Sequence, residues 1–187
     1  MDQFSYLSVL LSIIVGLAIT QVLKGFRGML LARSRIVMYW PTVVWAFWLI
    51  PANVQSWWSM FTLRDIETWS FVAFGVILLQ TVFQYMLAAI VLPDFFGEEP
   101  VDLRTHYWNH VNWFFGLWIA VLCTSLSKDL VLSGHLPDSV NLSFHIGFMA
   151  LSIAALLIRR DWFHKCLALV SPGIFMAYTI LLFSNLR

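Results

Sequence analysis

Polar and apolar positions along the chain segregate into blocks. All 21 Lys, Arg, Asp and Glu residues fall in short clusters, and six charge-free stretches lie between them, at 3–23, 36–63, 68–93, 105–127, 139–158 and 166–186. Crossing the ~30 Å hydrocarbon core of a bilayer takes ~20 helical residues at ~1.5 Å each, and every stretch is long enough. None shows the period-two alternation of barrel strands, and unpaired backbone groups are costly in lipid, so helices are the expected form. The pattern predicts an all-α, polytopic integral membrane helical bundle with about six transmembrane helices. Their spans fall near 4–23, 38–61, 69–92, 107–127, 140–158 and 166–186. No linker or low-complexity tract interrupts them, so residues 1–187 read as a single transmembrane domain.

Composition strengthens this picture. Sixty per cent of residues (60%) are hydrophobic, 11% are charged, and the mean hydropathy is +0.81. Soluble domains carry about a quarter charged residues, so membrane lipids are the expected surroundings. The net charge of +1 offers no pull on nucleic acid. Met1-Asp2-Gln3 lacks a basic n-region, and the apolar run behind it is too long for an h-region, so no cleaved signal peptide is expected. Cys123 and Cys166 fall at opposite ends of their spans, which argues against a disulfide, and neither belongs to a CxxC pair.

Basic residues set the expected orientation. Lys24, Arg27, Arg33, Arg35, Arg104, Arg159, Arg160 and Lys165 lie in odd-numbered loops, against Arg64, Lys128 and Arg187 elsewhere. The positive-inside rule then puts the odd loops in the cytoplasm and both termini outside, in what reads as a bacterial cytoplasmic membrane. Trp57, Trp58 and Trp69 bracket the second loop, and Trp40, Trp108 and Trp162 sit near the cytoplasmic ends, where indoles favour the headgroup region. Trp45, Trp48 and Trp118 lie deeper, as fillers between helices or against lipid.

Two helix faces repeat each other. Ser8, Ser12, Gly16, Thr20 and Lys24 recur every fourth residue in the first span, and Asn112, Gly116, Ala120, Thr124 and Lys128 do so in the fourth. Small residues at this spacing suit close helix packing, and the match suggests a weak three-plus-three inverted repeat. Pro51 in the second span and Pro172 in the sixth do not occupy equivalent places in that scheme.

Candidate chemistry concentrates in a few polar groups. Asp102, His106 and His110 share one face at four-residue spacing, the geometry of a transition-metal site with Glu98 or Glu99 as a further ligand, of a protonation switch, or of ordinary packing of amphipathic side chains at the membrane interface. The motif is not HExxH, because Tyr107 and Trp108 follow the first histidine. No cofactor is otherwise predicted. Glu98-Glu99-Pro100 reads as the start of the fourth helix, with acidic side chains at the positive end of its dipole. Asn53, Gln55, Gln80, Gln84, Asn109 and Asn112 are amides inside spans. They serve either as inter-helical glue worth about 0.6 kcal/mol each or as the lining of a hydrated cavity. Pro51 leaves the carbonyl of Phe47 without a helical donor, which a nearby amide or water would satisfy.

No Asp, Glu, Lys or Arg lies deep in a predicted span, which disfavours proton pumps, ion-coupled carriers, voltage sensors and aspartyl intramembrane proteases. A Ser–His nucleophile is also disfavoured: His145 is the one histidine well inside a span, and Ser143 is too near in sequence to face it. Paired haem ligation fails because His145 and His110 fall at different depths. The leading expectation is therefore a non-enzymatic channel or carrier for a neutral or weakly polar solute, assembled as a homo-oligomer. A structural or accessory subunit partnered by other membrane proteins ranks next, and a metal- or pH-responsive membrane protein third.

Overall fold

The computed structural model describes residues 3–66, 68–94 and 99–183. Among them are six α-helices: α1 (Gln3–Leu31), α2 (Trp40–Ser59), α3 (Phe71–Ile90), α4 (Leu103–Ser133), α5 (Ser139–Leu157) and α6 (Asp161–Phe183). Five of these, all but α2, are long and apolar enough to cross a membrane. Their outward faces expose Leu17, Phe71, Ile146 and Ile180, each more than half exposed. A soluble protein rarely shows so much contiguous apolar surface, and the fold is that of an all-α bundle suited to lipid.

The expected sixth apolar span is the point of difference. Helix α2 carries five tryptophans, two prolines, Asn53 and Gln55, and so falls short in hydropathy. It is instead the most sheltered helix. Trp45, Ala46, Trp48, Leu49, Ala52, Asn53 and Ser56 are all buried, and α2 packs on α1, α3, α4 and α6. A helix shielded by its neighbours has no need to be apolar all round. At 20 residues it is about 30 Å long, enough to match the others in reach.

Helix ends follow local chemistry. Ser70 accepts from the Ala73 amide at 3.0 Å and starts α3. Asp138, after Pro137, accepts from the amides of Val140 and Asn141 and starts α5. Helix α4 begins at Leu103, later than the Glu98-Glu99-Pro100 reading placed it; Glu98 itself lies outside the described residues. Two interactions fix the later start. Val101–Asp102 forms a short parallel strand (β2) with Ile36–Val37 (β1). Asp102 then caps the helix, accepting from the Arg104 amide at 2.9 Å and the Thr105 hydroxyl at 2.7 Å. These donors hold its carboxyl below the usual carboxylate range. Gly134, with φ 74°, closes α4 in the left-handed conformation that glycine adopts freely. Helices α1 and α4 outrun the predicted spans. At 29 and 31 residues they are about 44 and 46 Å long, so Lys24, Arg27, Lys128 and Asp129 ride on helix rather than loop.

The helices contact one another in a closed cycle, α1 to α3, α4, α5, α6, α2 and back to α1. A three-plus-three repeat maps α1–α3 onto α4–α6, so α4 should pack on α6 as α1 packs on α3. Instead α4 packs chiefly on α3 and α5, and the repeat does not extend to the packing. The small-residue stripes do not form the seams either. Ser12, Gly16 and Thr20 are exposed and Ser8 is half-buried, while α1 buries Leu11, Val15, Ala18, Val22, Gly25 and Met29. That second set alternates four and three residues apart, the spacing of a helix seam. On α4, Gly116, Ala120 and Thr124 are half-buried, and nothing approaches Gly16 or Gly116 within 4 Å of a Cβ position. The Thr20 and Thr124 hydroxyls bond the carbonyls of Gly16 and Ala120 on their own helices, which lets them face outward without an unpaired donor.

One end of the bundle gathers the odd connections. Lys24 pairs with Asp94 at 2.7 Å, the Tyr39 hydroxyl donates to Asp161 at 2.9 Å, and Arg104 and Lys165 also reach Asp161. At the other end the Trp69 amide donates to Gln3, and Met60 and Leu63 pack with Leu11, Val15 and Ile77.

Helix α1 comes close to the segment after α3 at Gly25, where an added Cβ would sit 2.7 Å from Cδ1 and 2.8 Å from Cβ of Leu92. Gly25→Ala should destabilise the bundle by about 1–3 kcal/mol, read as a lower thermal midpoint in detergent. Combining it with Leu92→Ala should cost less than the two single changes added together.

Candidate functional site

A cavity of about 220 Å³ opens between α2, α3, α4, α5 and α6. Its inner end lies at mid-bundle, where Trp118 is the middle residue of α4. There Trp48 stacks on Trp118 at 4.7 Å and 21°, Phe148 lies parallel to Trp48, and Phe175 meets it edge-on at 5.5 Å. From this aromatic end the cavity runs toward the face that carries the α2–α3 and α4–α5 connections, past Asn53, Gln84 and Gln80. Its mouth is framed by Thr62, Lys128, Asp129, Asn141 and Tyr178. The wall is thus apolar at depth and polar outward.

Four of the six expected amides, Asn53, Gln55, Gln80 and Gln84, line this one space. Asn53 is 1% exposed. Its Nδ2 donates to the Leu49 carbonyl at 2.8 Å, not to the Phe47 carbonyl that Pro51 releases, and its Oδ1 has no protein partner. A buried acceptor left unpaired costs about 1–3 kcal/mol unless water or a bound molecule completes it. The Ser56 hydroxyl donates to Oε1 of Gln84 at 3.2 Å, tying α2 to α3. The indole N–H groups of Trp48 and Trp118 are also buried without partners.

Asn109 and Asn112 are not part of the cavity. Both are exposed, because α4 turns Leu103, Tyr107, Val111, Phe114 and Phe115 inward and so puts these amides on its outer side. Asn112 accepts from the Arg159 guanidinium across the α5–α6 turn.

Asp102, His106 and His110 keep their common face but are individually engaged. Asp102 is the α4 cap. Nε2–H of His106 donates to the Ile90 carbonyl at 3.0 Å, and Nδ1–H of His110 donates to the His106 carbonyl at 2.8 Å. Carbonyl oxygens only accept, so these bonds fix both tautomers. The two rings lie 4.3 Å apart. Among the described residues no group of three or more His, Cys, Asp or Glu side chains is placed to hold a metal ion. Cys123 and Cys166 are free and exposed.

Two histidines differ from the expectation. His164, which falls just before the expected sixth span at 166–186, is fully buried, with Nδ1 accepting from the Tyr107 hydroxyl at 2.7 Å and Nε2–H donating to the Ile158 carbonyl. His145 does have a serine partner, supplied by another helix. Nδ1–H donates to the Asn141 carbonyl at 3.0 Å, and Nε2 accepts from Ser125 Oγ at 3.0 Å. Ser143, its neighbour in sequence, bonds instead to the Ser139 carbonyl. Both Ser125 and His145 line the cavity, as do Lys128 and Asp129, which pair at 3.3 Å. Spacing held a partial signal for this group: Asn141, His145 and Phe148 share one face of α5, and Leu122, Ser125 and Lys128 share one face of α4.

Compared with known proteins, the chain matches no protein-family model, no curated protein and no solved structure.

If the cavity is hydrated from its mouth, position should govern chemical access. With Cys123 and Cys166 first replaced by serine, Thr62→Cys and Gln80→Cys should react with a charged, membrane-impermeant thiol reagent. Ser171→Cys, buried at 2% exposure outside the cavity, should stay unmodified. Mass shift of the intact protein reads each outcome.

Proposed function

We propose that this protein is a carrier that takes a small neutral or weakly polar solute into the cavity enclosed by α2, α3, α4, α5 and α6. The observation that supports this reading most is the convergence of Asn53, Gln55, Gln80 and Gln84 on one space. Amides present both donors and acceptors without charge, which suits a solute that hydrogen-bonds but carries no net charge. The charged side chains on the wall, Lys128 and Asp129, neutralise each other across 3.3 Å and give the site little net field. The aromatic inner end favours a solute with an apolar portion. It also favours a carrier over an open pore. Past Trp48 and Trp118 the rings of Trp45, Phe114, Phe115 and Tyr107 pack together, which argues against a continuous path through the bundle.

Purified protein in liposomes tests this directly. Uptake of labelled neutral polyols, amides and small aromatic alcohols should exceed that of protein-free vesicles for at least one class. Gln84→Leu, which removes the acceptor for Ser56 and an amide from the wall, should lower that uptake about tenfold or more, a loss of about 1.4 kcal/mol or more in binding. Uptake indistinguishable from empty vesicles across the panel would overturn the carrier reading.

In the same reading the protein sits in a bacterial cytoplasmic membrane with both termini outside. The basic residues around Lys24, Arg27, Arg104, Arg159 and Arg160 support it, as does their clustering at the end of the bundle away from the cavity mouth. Epitope tags at the two ends should both be cleaved by protease added to spheroplasts. Tags protected from it, or found on opposite faces, would reverse the assignment.

A further inference from the structure

The cavity mouth holds an arrangement that solute binding does not require. Most hydroxyl side chains on α4 return their hydrogen bond to a carbonyl one turn back. Thr124 donates to Ala120, Ser127 to Cys123 and Ser133 to Asp129. In lipid this is the default, because it satisfies the hydroxyl without any partner helix. Ser125 departs from it and reaches across to Nε2 of His145 on α5. The Asn141 carbonyl, which can only accept, obliges Nδ1 of His145 to carry the ring proton. Nε2 therefore presents its lone pair to the Ser125 O–H. A hydroxyl, an imidazole in the accepting tautomer and a third group orienting that imidazole are the parts of an activated nucleophile.

The surroundings supply what such a nucleophile needs. Ser125 and His145 both line the cavity, so an electrophile in that space can reach the hydroxyl. Lys128 lies one turn further along the same face of α4 and lines the same wall; its ammonium pairs with Asp129 at 3.3 Å in the resting site and can turn to meet negative charge developing on a carbonyl oxygen. Leu122, Phe148 and Phe175 make the adjoining inner wall apolar.

We propose that Ser125 is a nucleophile activated by His145, and that the cavity mouth hydrolyses small carboxylic esters whose acyl group lies against the apolar inner wall. Ser125 Oγ attacks the ester carbonyl carbon while its proton passes to Nε2 of His145. The tetrahedral intermediate collapses as the C–O bond to the alcohol breaks, and Nε2–H returns the proton to the leaving alkoxide. The acyl group is then carried on Ser125 Oγ. Water from the mouth attacks this acyl carbon, His145 takes its proton, and the Ser125 oxygen leaves and is reprotonated. One ester and one water give one acid and one alcohol, with no redox change. The proposal stands on the pair and the cavity, and holds whether or not a solute crosses the membrane.

A fluorophosphonate reporter added to the full chain in detergent tests it. Ser125 should become phosphonylated in the mapped peptide, and His145→Gln should slow that labelling about a hundredfold, within the usual range for loss of a general base. Hydrolysis of p-nitrophenyl butyrate should fall to background in Ser125→Ala. Failure of Ser125 to label, or equal labelling rates in wild type and folded His145→Gln, would overturn the proposal. Should His145→Gln not fold, Ser125→Cys with Cys123→Ser and Cys166→Ser gives a second reading. Its alkylation should persist well below the ~8.5 of an isolated thiol, as for a thiolate paired with imidazolium, and an ordinary thiol profile would overturn the assignment. Probe labelling and vesicle uptake are separate measurements, so this reading and the carrier reading fail separately.

Discussion

A polar group inside a hydrocarbon layer has no water to pair with, and this constraint orders the whole bundle. Serines and threonines on outward faces fold their hydroxyls back onto their own helices, as Thr20 and Thr124 do. Side chains that cannot do so are drawn together. Ser56 and Gln84 pair between α2 and α3, Ser125 and His145 between α4 and α5, and Asn141 and Tyr178 between α5 and α6. These pairings all border the same cavity. The cavity is thus where the helices place the polarity that lipid will not accept.

Helix α2 shows the same constraint at larger scale. Its tryptophans, prolines and amides leave it the one described helix of the six without a stretch apolar enough to cross a membrane, and it is also the most buried. The five more apolar helices supply the lipid-facing surface. Trp45 and Trp48 fill the gap between α2 and its neighbours with broad rings, against Phe114, Phe115, Trp118 and Phe175. Small residues follow on the same helix at Ala52, Ser56 and Ser59, and it is beside these that the cavity lies. Bulk at one end and small side chains at the other therefore decide which half of the bundle is solid and which is hollow.

The sequence made some of this legible because its signals are local. Charge-free stretches of helical length marked every helix, and Gln80 and Gln84, one turn apart, marked a polar strip on α3 that does face the cavity. Asn109 and Asn112 looked equivalent but face outward. Which side of a 31-residue helix turns inward is set by Tyr107, Val111 and Phe114 against partners that the sequence does not identify. The small-residue stripe of α1 misled for a similar reason: it lies beside the true seam, which runs through Leu11, Val15 and Val22 and includes Gly25, packed against Leu92. The Ser125–His145 pair spans two helices, and only their packing brings it together. No spacing rule within one helix reveals such a pair.

The two halves of the bundle also differ in what opening them would require. Around the cavity mouth the hydrogen bonds are few and neutral, and among the described residues the ion pairs at that end, Arg64–Asp65 and Lys128–Asp129, each join adjacent residues of one element. At the opposite end Asp161 holds Tyr39, Arg104 and Lys165 at once, and so ties the starts of α2, α4 and α6. Behind it His164 accepts from Tyr107 in a fully buried contact. An exposed ion pair contributes little, about 0–1 kcal/mol, but Tyr39 and Arg104 share one carboxylate on α6 and are lost together if α6 moves away from the starts of α2 and α4. A carrier must open both ends in turn. On the proposed carrier reading the second opening would run through Asp161 on α6, whose partners Tyr39 and Arg104 lie at the starts of α2 and α4.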